Sequence, residues 1–340
     1  MLDGEAVSRS QLPIAVLGAG SWGSALAILI ARNGREVALW SNDATQVAMM
    51  REHRRNIDFL PDIEFPDSLS ISADLSEVMA TSRDVLVAVP SEAFRAVVEL
   101  CQPMLAPDAR LSWATKGFDP GSGKLLHQVA VEVCGSGVPI AVVSGPSFAH
   151  EVALGLPTAL TIASNDAHFS RDLSDLLHND CFRAYSSDDV VGVEVGGAVK
   201  NVLAIAAGIS DGLGFGANAR AALITRGLAE ITRLGVELGG KADTFTGLAG
   251  LGDLVLTCTD NQSRNRRMGL ALAQGKTLEQ ALCSIGQAVE GVQTAREVRL
   301  LAQRYGVEMP IAEQVYSVLY DGCAPRDAVV ALFERAQKSE

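Results

Sequence analysis

Lys200 is the residue of this sequence best suited to acid–base chemistry. It lies in the run 196–201 (GGAVKN), whose small residues allow a helix to pack closely against its neighbours. Burial and nearby cations lower the pKa of an ammonium group toward the range in which it can donate a proton. The run therefore indicates a general acid that protonates a carbonyl oxygen. A lysine that reaches solvent or caps a backbone carbonyl is the alternative.

Asp253 places a single carboxylate in the glycine-rich, apolar run 247–254 (GLAGLGDL). A carboxylate in apolar surroundings needs a cationic or hydrogen-bonding partner, and Lys200 is a suitable one. Alternatively, Asp253 only caps the helix that follows it.

A third group of polar residues is suited to phosphate or polyol oxygens. Ser263, Arg264 and Asn265, followed by Arg266 and Arg267, present a hydroxyl, guanidinium groups and an amide in succession. A solvated helix surface is the competing interpretation.

Two further segments follow predicted strands at their carboxyl ends, where open α/β sheets bind their ligands. The first carries Lys116, in the run 114–117 (ATKG), and the second is the run 145–149 (GPSFA). Both are therefore candidates for a binding site.

A glycine-rich turn, 18–23 (GAGSWG), joins the first predicted strand directly to a helix. In this order Gly18 permits the tight turn, Gly20 lets the backbone approach a pyrophosphate, and Gly23 lets the helix pack on the strand. The helix N-terminus then points at the negative charge. This arrangement predicts a dinucleotide site.

The end of the second predicted strand bears on the choice of dinucleotide. Sites that prefer NAD usually carry a carboxylate there, whereas Trp40 is followed by Ser41 and Asn42. A 2′-phosphate would not be repelled, and the basic cluster 51–55 could pair with it. We therefore expect NADP to be the preferred dinucleotide. Asp43, one residue after Asn42, could still serve NAD, so NAD is the alternative.

The pattern of elements predicts an N-terminal α/β domain with a doubly wound Rossmann sheet, followed by an all-α C-terminal domain. Strands are predicted at 14–17, 36–40, 85–89, 111–114, 140–143 and 159–163, with helices at 24–32 and 92–100 and a loop at 61–66. After residue 187, glycine- and alanine-rich helical segments such as 190–210 and 219–238 predominate. The predicted domains are thus 1–190, which binds the dinucleotide, and 191–340, which is helical and carries the substrate and catalytic residues.

Composition narrows the classes of function. The chain has 340 residues, of which 48% are hydrophobic and 20% charged, and a net charge of −12, which argues against nucleic acid as a partner. The six cysteines are scattered without metal-ligand spacing, so we expect reduced thiols and no metal. An acidic start at Asp3 and Glu5 and the lack of a long uncharged apolar run predict a cytoplasmic protein without a signal peptide or membrane span.

Six short runs occur together in one order: 18–23, 114–117, 144–149 (SGPSFA), 196–201, 250–254 (GLGDL) and 263–265 (SRN). With them, the chain from residue 14 to about 335 resembles the bacterial type of NAD(P)-dependent glycerol-3-phosphate dehydrogenase. The resemblance implies reversible reduction of dihydroxyacetone phosphate to sn-glycerol 3-phosphate with NADPH or NADH. It also implies a supply of glycerol 3-phosphate for phospholipid synthesis and a homodimer.

The resemblance also implies roles for individual residues. Lys200 would be the proton donor, in a catalytic group with Asp253 and Lys116. The implied substrate-binding residues are Lys116, Gly145, Ser147, Lys200, Asn201, Asp253, Thr257, Ser263, Arg264 and Asn265. The implied cofactor-binding residues, besides Gly18, Gly20 and Gly23 of the turn, are Ser21, Trp22, Asn42, Lys116, Ala149, Arg264, Ala288 and Glu290.

Two other functions stay open at this stage. A 2-hydroxyacid or 6-phosphogluconate type of dehydrogenase also joins a Rossmann domain to a helical one and uses a lysine on a helix. A non-catalytic NADPH-binding sensor would use the helical domain only to associate with a partner. The pairing of Lys200 with Asp253 argues against the sensor, and substrate tests separate the two enzymes.

Overall fold

The computed structural model describes residues 12–334, and it divides the chain into two compact units. The first runs to Thr115 and resumes over His127–Val190, and the second comprises Lys116–Leu126 and the chain from Val191 onward. The short segment that begins with Lys116 thus groups with the helical unit, which a single boundary near residue 190 does not anticipate. The predicted absence of a signal peptide concerns residues outside the described part.

The first unit is built on an eight-stranded sheet. The strands in chain order are β1 (Ile14–Leu17), β2 (Val37–Trp40), β3 (Arg55–Asn56), β4 (Leu60–Glu64), β5 (Leu69–Ser72), β6 (Asp84–Val87), β7 (Arg110–Trp113), β8 (Ile140–Ser144), β9 (Thr158–Ser164) and β10 (Phe182–Ser187). The sheet order is β10-β9-β8-β7-β6-β1-β2-β5, and β3 and β4 form a separate pair. Every residue of β1, β2 and β6 is buried, and all of them except Asp84 belong to the continuous apolar runs that predict buried strands.

Six neighbouring strands of the sheet are parallel, in the order β8-β7-β6-β1-β2-β5. This is the doubly wound order of dinucleotide-binding sheets. The order reverses between β1 and β6, so the switch point at which such sheets bind ligands lies beyond the carboxyl ends of these two strands. The helices that follow the strands are α1 (Ser21–Arg32), α2 (Ala44–His53), α3 (Leu75–Thr81), α4 (Ser91–Cys101), α5 (Leu126–Cys134), α6 (Ala149–Leu154) and α7 (Ala167–Leu177). The predicted Rossmann fold is confirmed.

Several features of this unit differ from the prediction. Residues 61–66, predicted as loop, largely belong to β4, which pairs antiparallel with β3. The two prolines at the ends of this stretch are typical of loops, but β4 lies in a two-stranded pair outside the main sheet, where a missing N–H is tolerated. The edge strands β5 and β10 were not predicted, because each is short and half of its residues are polar, and β9 is antiparallel to β8 rather than parallel.

The second unit is helical in its described part. After the segment Lys116–Leu126 it contains α8 (Val190–Gly212), α9 (Gly216–Glu237), α10 (Ala242–Thr246), α11 (Asp253–Thr259), α12 (Arg264–Ala273), α13 (Leu278–Ile285), α14 (Glu290–Tyr305), α15 (Pro310–Tyr320) and α16 (Pro325–Phe333). A π-helical turn, Leu248–Gly252, immediately precedes α11. The predicted all-α architecture is confirmed.

Helix α8 is the central helix of this unit, and its residues 192–210 are all buried. A Cβ added at Gly196 would lie 2.6 Å from the carbonyl oxygen of Ala249, and one at Gly208 would lie 2.1 Å from that of Arg266. These glycines therefore let neighbouring backbone approach α8 directly. Among residues 12–334, α8 alone is long and apolar enough to cross a membrane by composition, but 89% of that window is buried within the protein, as in a core helix.

Candidate active site

The glycine-rich turn lies at the switch point of the sheet in the first unit. Gly18 has a φ of +115°, and a Cβ there would lie 2.7 Å from the carbonyl oxygen of Ala88, while a Cβ at Gly23 would lie 1.9 Å from the carbonyl oxygen of Gly18. By contrast, a Cβ at Gly20 would meet no atom within 4 Å. Gly18 and Gly23 thus serve packing, whereas the open side of Gly20 fits the approach of a pyrophosphate.

The start of α1 is suited to an anion. Its N-cap is Gly20, and no side chain caps this end of the helix in the described chain. The first backbone N–H groups and the positive end of the helix dipole are therefore left for a bound phosphate. Ser21 and Trp22 begin the helix, and the indole Nε1 of Trp22 is buried without a hydrogen-bond partner among residues 12–334.

Two polar residues hold this turn and were not predicted from the sequence. The buried Asn56 Nδ2 donates to the carbonyl oxygen of Ala19 at 2.8 Å and to Ser24 Oγ at 2.9 Å. Gln46 Nε2 donates to the same carbonyl at 3.0 Å. Because they lie 37 and 27 residues away from Ala19 along the chain, no local pattern indicates them.

The region proposed to choose between NADP and NAD has several groups already engaged. The carboxylate of Asp43 caps α2 by accepting from the backbone N–H groups of Thr45 at 2.8 Å and Gln46 at 3.1 Å. Asn42 is exposed. In the basic cluster, Arg51 Nε donates to the carbonyl of Ile71 at 2.8 Å, and the Arg54 guanidinium donates to backbone carbonyls of the neighbouring loop and strand. Asp43 and Arg54 therefore have structural roles.

The run that follows β8 carries Gly145, Ser147 and Ala149. A Cβ at Gly145 would lie 2.8 Å from the Cα of Leu160, and Ser147 Oγ donates to the carbonyl of Gly145 at 3.0 Å. Ala149 is the first residue of α6. All three lie in the first unit, separate in the chain from the lysines of the second.

In the second unit Asp253 joins two lysines. Its Oδ1 lies 2.6 Å from Lys200 Nζ, and its Oδ2 lies 2.6 Å from Lys116 Nζ. Lys200 Nζ also donates to Thr257 Oγ1 at 2.8 Å, and that hydroxyl donates to the carbonyl of Asp253 at 2.6 Å. The predicted pairing of Lys200 with Asp253 is present, and Lys116, which the resemblance placed in the same catalytic group, contacts the second oxygen of Asp253.

Local structure explains how these side chains are held. Lys200 projects from the buried helix α8, and Asp253 begins α11 directly after the π-helical turn. The carboxylate of Asp253 makes no cap bond, because Gly252 is the N-cap of α11, so the capping alternative for Asp253 is wrong. The side chains of Lys200, Lys116 and Asp253 are 9%, 15% and 2% exposed, so the cluster is nearly dry but reachable through its lysines.

Burial sets the protonation behaviour of this cluster. Burial lowers the pKa of Lys200 to about 8, with Asp253 opposing the shift and Lys116 adding to it. Burial alone would raise the pKa of Asp253, but the two neighbouring ammonium groups outweigh it and hold that pKa below its ordinary value. The carboxylate therefore stays charged, while Lys200 can gain or lose a proton near neutral pH.

A second polar network lies on the adjacent helices. Asn265 Nδ2 donates to Asn201 Oδ1 at 2.9 Å, and Asn265 Oδ1 accepts from the backbone N–H of Gly291 at 2.8 Å. Ser263 caps α12 by accepting from the N–H of Arg266 at 3.2 Å. Asn201, Ser263 and Asn265 are buried, so this run is not the solvated helix surface that the sequence left open.

Arg264 lies at the edge of this network. Burial lowers its pKa, Glu290 opposes the shift and Arg267 adds to it, so a carboxylate and a second guanidinium are near Arg264. Arg266 is instead engaged with Asp211 and with Asn261. Of the arginines in this run, Arg264 and Arg267 are therefore the better candidates to bind an anion. Ala288, a predicted cofactor-binding residue, is exposed just before α14.

Comparison with known proteins gives the family. The model of the N-terminal part of NAD-dependent glycerol-3-phosphate dehydrogenase matches residues 13–170, and the model of its C-terminal part matches residues 189–330. The chain belongs to this family. The predicted class, an NAD(P)-dependent oxidoreductase, is confirmed, and the alternative of a 2-hydroxyacid or 6-phosphogluconate type is set aside.

Individual relatives agree over nearly the full length. Glycerol-3-phosphate dehydrogenase [NAD(P)+] of Tolumonas auensis is 56% identical, covering 97% of this chain and 99% of that protein. The enzyme of the same name from Serratia proteamaculans is 58% identical over 96% of both chains. The crystal structure of glycerol-3-phosphate dehydrogenase from Coxiella burnetii is 51% identical, with a TM-score of 0.93, and covers 96% of this chain and 99% of that one.

Proposed function

We propose that this member of the family reduces dihydroxyacetone phosphate to sn-glycerol 3-phosphate, reversibly, with Lys200 as the general acid. The observation that carries the proposal is the buried cluster in which one carboxylate, Asp253, holds Lys200 and Lys116 at 2.6 Å each. A ketone needs a proton at its oxygen as hydride reaches its carbon, and a lysine with a pKa of about 8 is suited to that task.

The residues of the second unit are proposed to orient the substrate. Arg264 would pair with the phosphate, because a partly desolvated guanidinium binds phosphate through directed, charge-assisted hydrogen bonds. Asn201 and Asn265 would meet the hydroxyl and carbonyl oxygens, since their amides are already fixed by one another and by Gly291. Fixing the substrate in this way removes much of the entropy cost of reaction.

Lys200 is proposed to give its proton to the carbonyl oxygen as the C–O double bond becomes a C–O single bond. Asp253 and Thr257 hold the ammonium group in place before transfer, and Lys116 adds positive charge for the developing oxyanion. In the reverse direction neutral Lys200 takes the proton from the alcohol.

We propose that the turn 18–23, which includes Ser21 and Trp22, holds the dinucleotide, whose nicotinamide supplies the hydride when bound. Ala149, Ala288 and Glu290 remain proposed contacts of the same cofactor, as do Gly145 and Ser147 for the substrate. We propose NADP as the preferred form, because Asn42 offers no carboxylate and the carboxylate of Asp43 caps α2.

The test is oxidation of NADPH and of NADH, followed at 340 nm with dihydroxyacetone phosphate. Lys200→Met keeps the volume of the side chain but removes the proton, so we expect kcat to fall by roughly 10²- to 10⁴-fold. The exposed Lys276→Ala is the matched control and should retain full activity. Cofactor binding and thermal unfolding of each variant show whether the fold is intact.

Other outcomes decide against parts of the proposal. Near-normal turnover by a folded Lys200→Met variant would remove Lys200 as the acid. Tight cofactor binding without oxidation by any phosphorylated ketone would instead support the non-catalytic sensor. Faster turnover with NADH than with NADPH would overturn the proposed cofactor preference.

The resemblance to the bacterial family supports three further proposals. The product feeds phospholipid synthesis, the protein acts in the cytoplasm, and the chain forms a homodimer. A two-fold symmetric dimer is the commonest assembly among soluble homo-oligomers.

A further inference from the structure

The segment after Lys116 folds as a tight loop within the second unit. The backbone N–H of Asp119 donates to the carbonyl of Lys124 at 2.9 Å, and that of Gly123 donates to the carbonyl of Asp119 at 3.0 Å. Phe118 and Leu125 pair across the loop and are buried in the core of this unit. The loop is therefore a built element that begins directly beside Lys116.

Glu297 of α14 holds the far side of this loop. It is 2% exposed, and its Oε1 accepts from the backbone N–H of Gly121 at 3.1 Å and from Gln293 Nε2 at 2.9 Å. Its Oε2 is buried without a hydrogen-bond partner among residues 12–334, and a Cβ added at Gly123 would lie 3.5 Å from it. One carboxylate thus fastens the loop to α14 through a single backbone bond.

Such a group is not explained by stability alone. A buried carboxylate is costly to desolvate, and an oxygen that lacks a partner adds to this cost. An apolar residue at this position would avoid that cost but would leave the N–H of Gly121 without this acceptor. The useful property of Glu297 is the acceptor it presents to Gly121, five residues beyond Lys116.

We propose that Glu297 is a positioning residue, which fixes the loop 117–125 and thereby keeps Lys116 Nζ against Asp253. The same helix is tied near its start to Asn265 through Gly291, so α14 connects the lysine loop with the proposed substrate-binding amides. The inference rests on the proposed function, because it gives Lys116 a role in binding and turnover.

The test is a double-mutant cycle in the full-length protein, with kcat and KM for dihydroxyacetone phosphate measured separately. Glu297→Ala should lower kcat/KM roughly tenfold, the effect of one lost hydrogen bond to a charged group. Glu297→Gln keeps an acceptor for Gly121 and should restore near-normal values. Gln303→Ala, exposed on the same helix, is the control and should change nothing.

Lys116→Met supplies the other arm of the cycle. If Glu297 acts through Lys116, then adding Glu297→Ala to Lys116→Met should lower kcat/KM by less than about twofold more. If Glu297→Ala lowers kcat/KM by the same factor with and without Lys116→Met, so that the two effects multiply, the proposal is overturned. A folded Glu297→Ala variant with normal kinetics would overturn it as well. A folded Lys116→Met variant with full activity would instead contradict the role of Lys116 in the proposed function.

Folding is checked independently of activity. If Glu297→Ala does not fold, Glu297→Asp takes its place, because it keeps the charge but is one methylene too short to reach Gly121. Loss of kcat/KM by Glu297→Asp that disappears in the Lys116→Met background supports positioning. An equal loss in both backgrounds contradicts it.

Discussion

At the scale of single residues, the proposed chemistry depends on a lysine that is buried beside its counter-charge. Lys200 is desolvated by α8 and its neighbours, which lowers the pKa of its ammonium group. Asp253 opposes this shift, because its carboxylate favours the charged form of Lys200. Lys116, on the opposite oxygen of Asp253, shifts the balance further toward the neutral form. The protonation of Lys200 is therefore expected to change within the range of pH in which the enzyme is assayed.

We predict that reduction falls and oxidation rises as the pH passes through about 8, the pKa of Lys200 in the free protein. In the proposed mechanism, reduction needs the ammonium form of Lys200 as acid, whereas oxidation needs the neutral amine as base. The measurement is kcat/KM for dihydroxyacetone phosphate and for glycerol 3-phosphate between pH 6 and 10. Cys258 adjoins Lys200, but burial raises the pKa of its thiol to about 12, outside this range.

Asp253→Asn provides the control for this assignment. Because Asp253 raises the pKa of Lys200, its loss should move the fall in reduction to lower pH. A pH profile that stays in place in this variant would mean that another group titrates.

At the scale of elements, the turn between β1 and α1 separates packing from ligand approach. The missing Cβ of Gly23 lets α1 lie against the backbone of Gly18, while the open side of Gly20 faces no protein atom within 4 Å. Two glycines three residues apart therefore serve different purposes.

We predict that alanine at Gly23 lowers stability, whereas alanine at Gly20 weakens cofactor binding. Gly23→Ala places a methyl group 1.9 Å from the carbonyl oxygen of Gly18, so the free energy of unfolding should fall by about 1–3 kcal/mol. Gly20→Ala should leave stability nearly unchanged but raise the KM for the cofactor by roughly tenfold, since the backbone can no longer approach the pyrophosphate. Denaturant unfolding and cofactor titration measure both. Equal loss of stability in the two variants would contradict this division of roles.

At the scale of the whole molecule, each unit has its own hydrophobic core, and the chain carries a net charge of −12. Two such chains repel one another at long range, and salt screens this repulsion. The proposed dimer must therefore rest on short-range contacts.

We predict a particle of twice the 35.7 kDa chain mass, which dissociates more readily as salt is lowered from about 0.15 M to 0.01 M. Light scattering after size exclusion measures the mass across a dilution series. A single-chain mass at micromolar concentration and 0.15 M salt would contradict the dimer, and dissociation that grows with salt would contradict the role given to charge.

The sequence by itself determined the Rossmann sheet, the helical region after residue 190, the glycine turn and the pairing of Lys200 with Asp253. These depend on local patterns: continuous apolar runs make buried strands, glycines at fixed spacing make the turn, and a lone acid in an apolar run needs a cation. Strands β4, β5 and β10 were not predicted, because at least half of the residues of each are polar or proline, as in loops.

Only the tertiary structure decided which distant residues complete each site. It groups the segment 116–126 with the helical unit, sets Lys116 on Asp253 across 137 residues of chain, and places Glu297 behind that loop. It likewise brings Asn56 to the glycine turn and uses Asp43 as a helix cap. Such contacts depend on how whole elements pack, and the spacing of residues along the chain does not predict that packing.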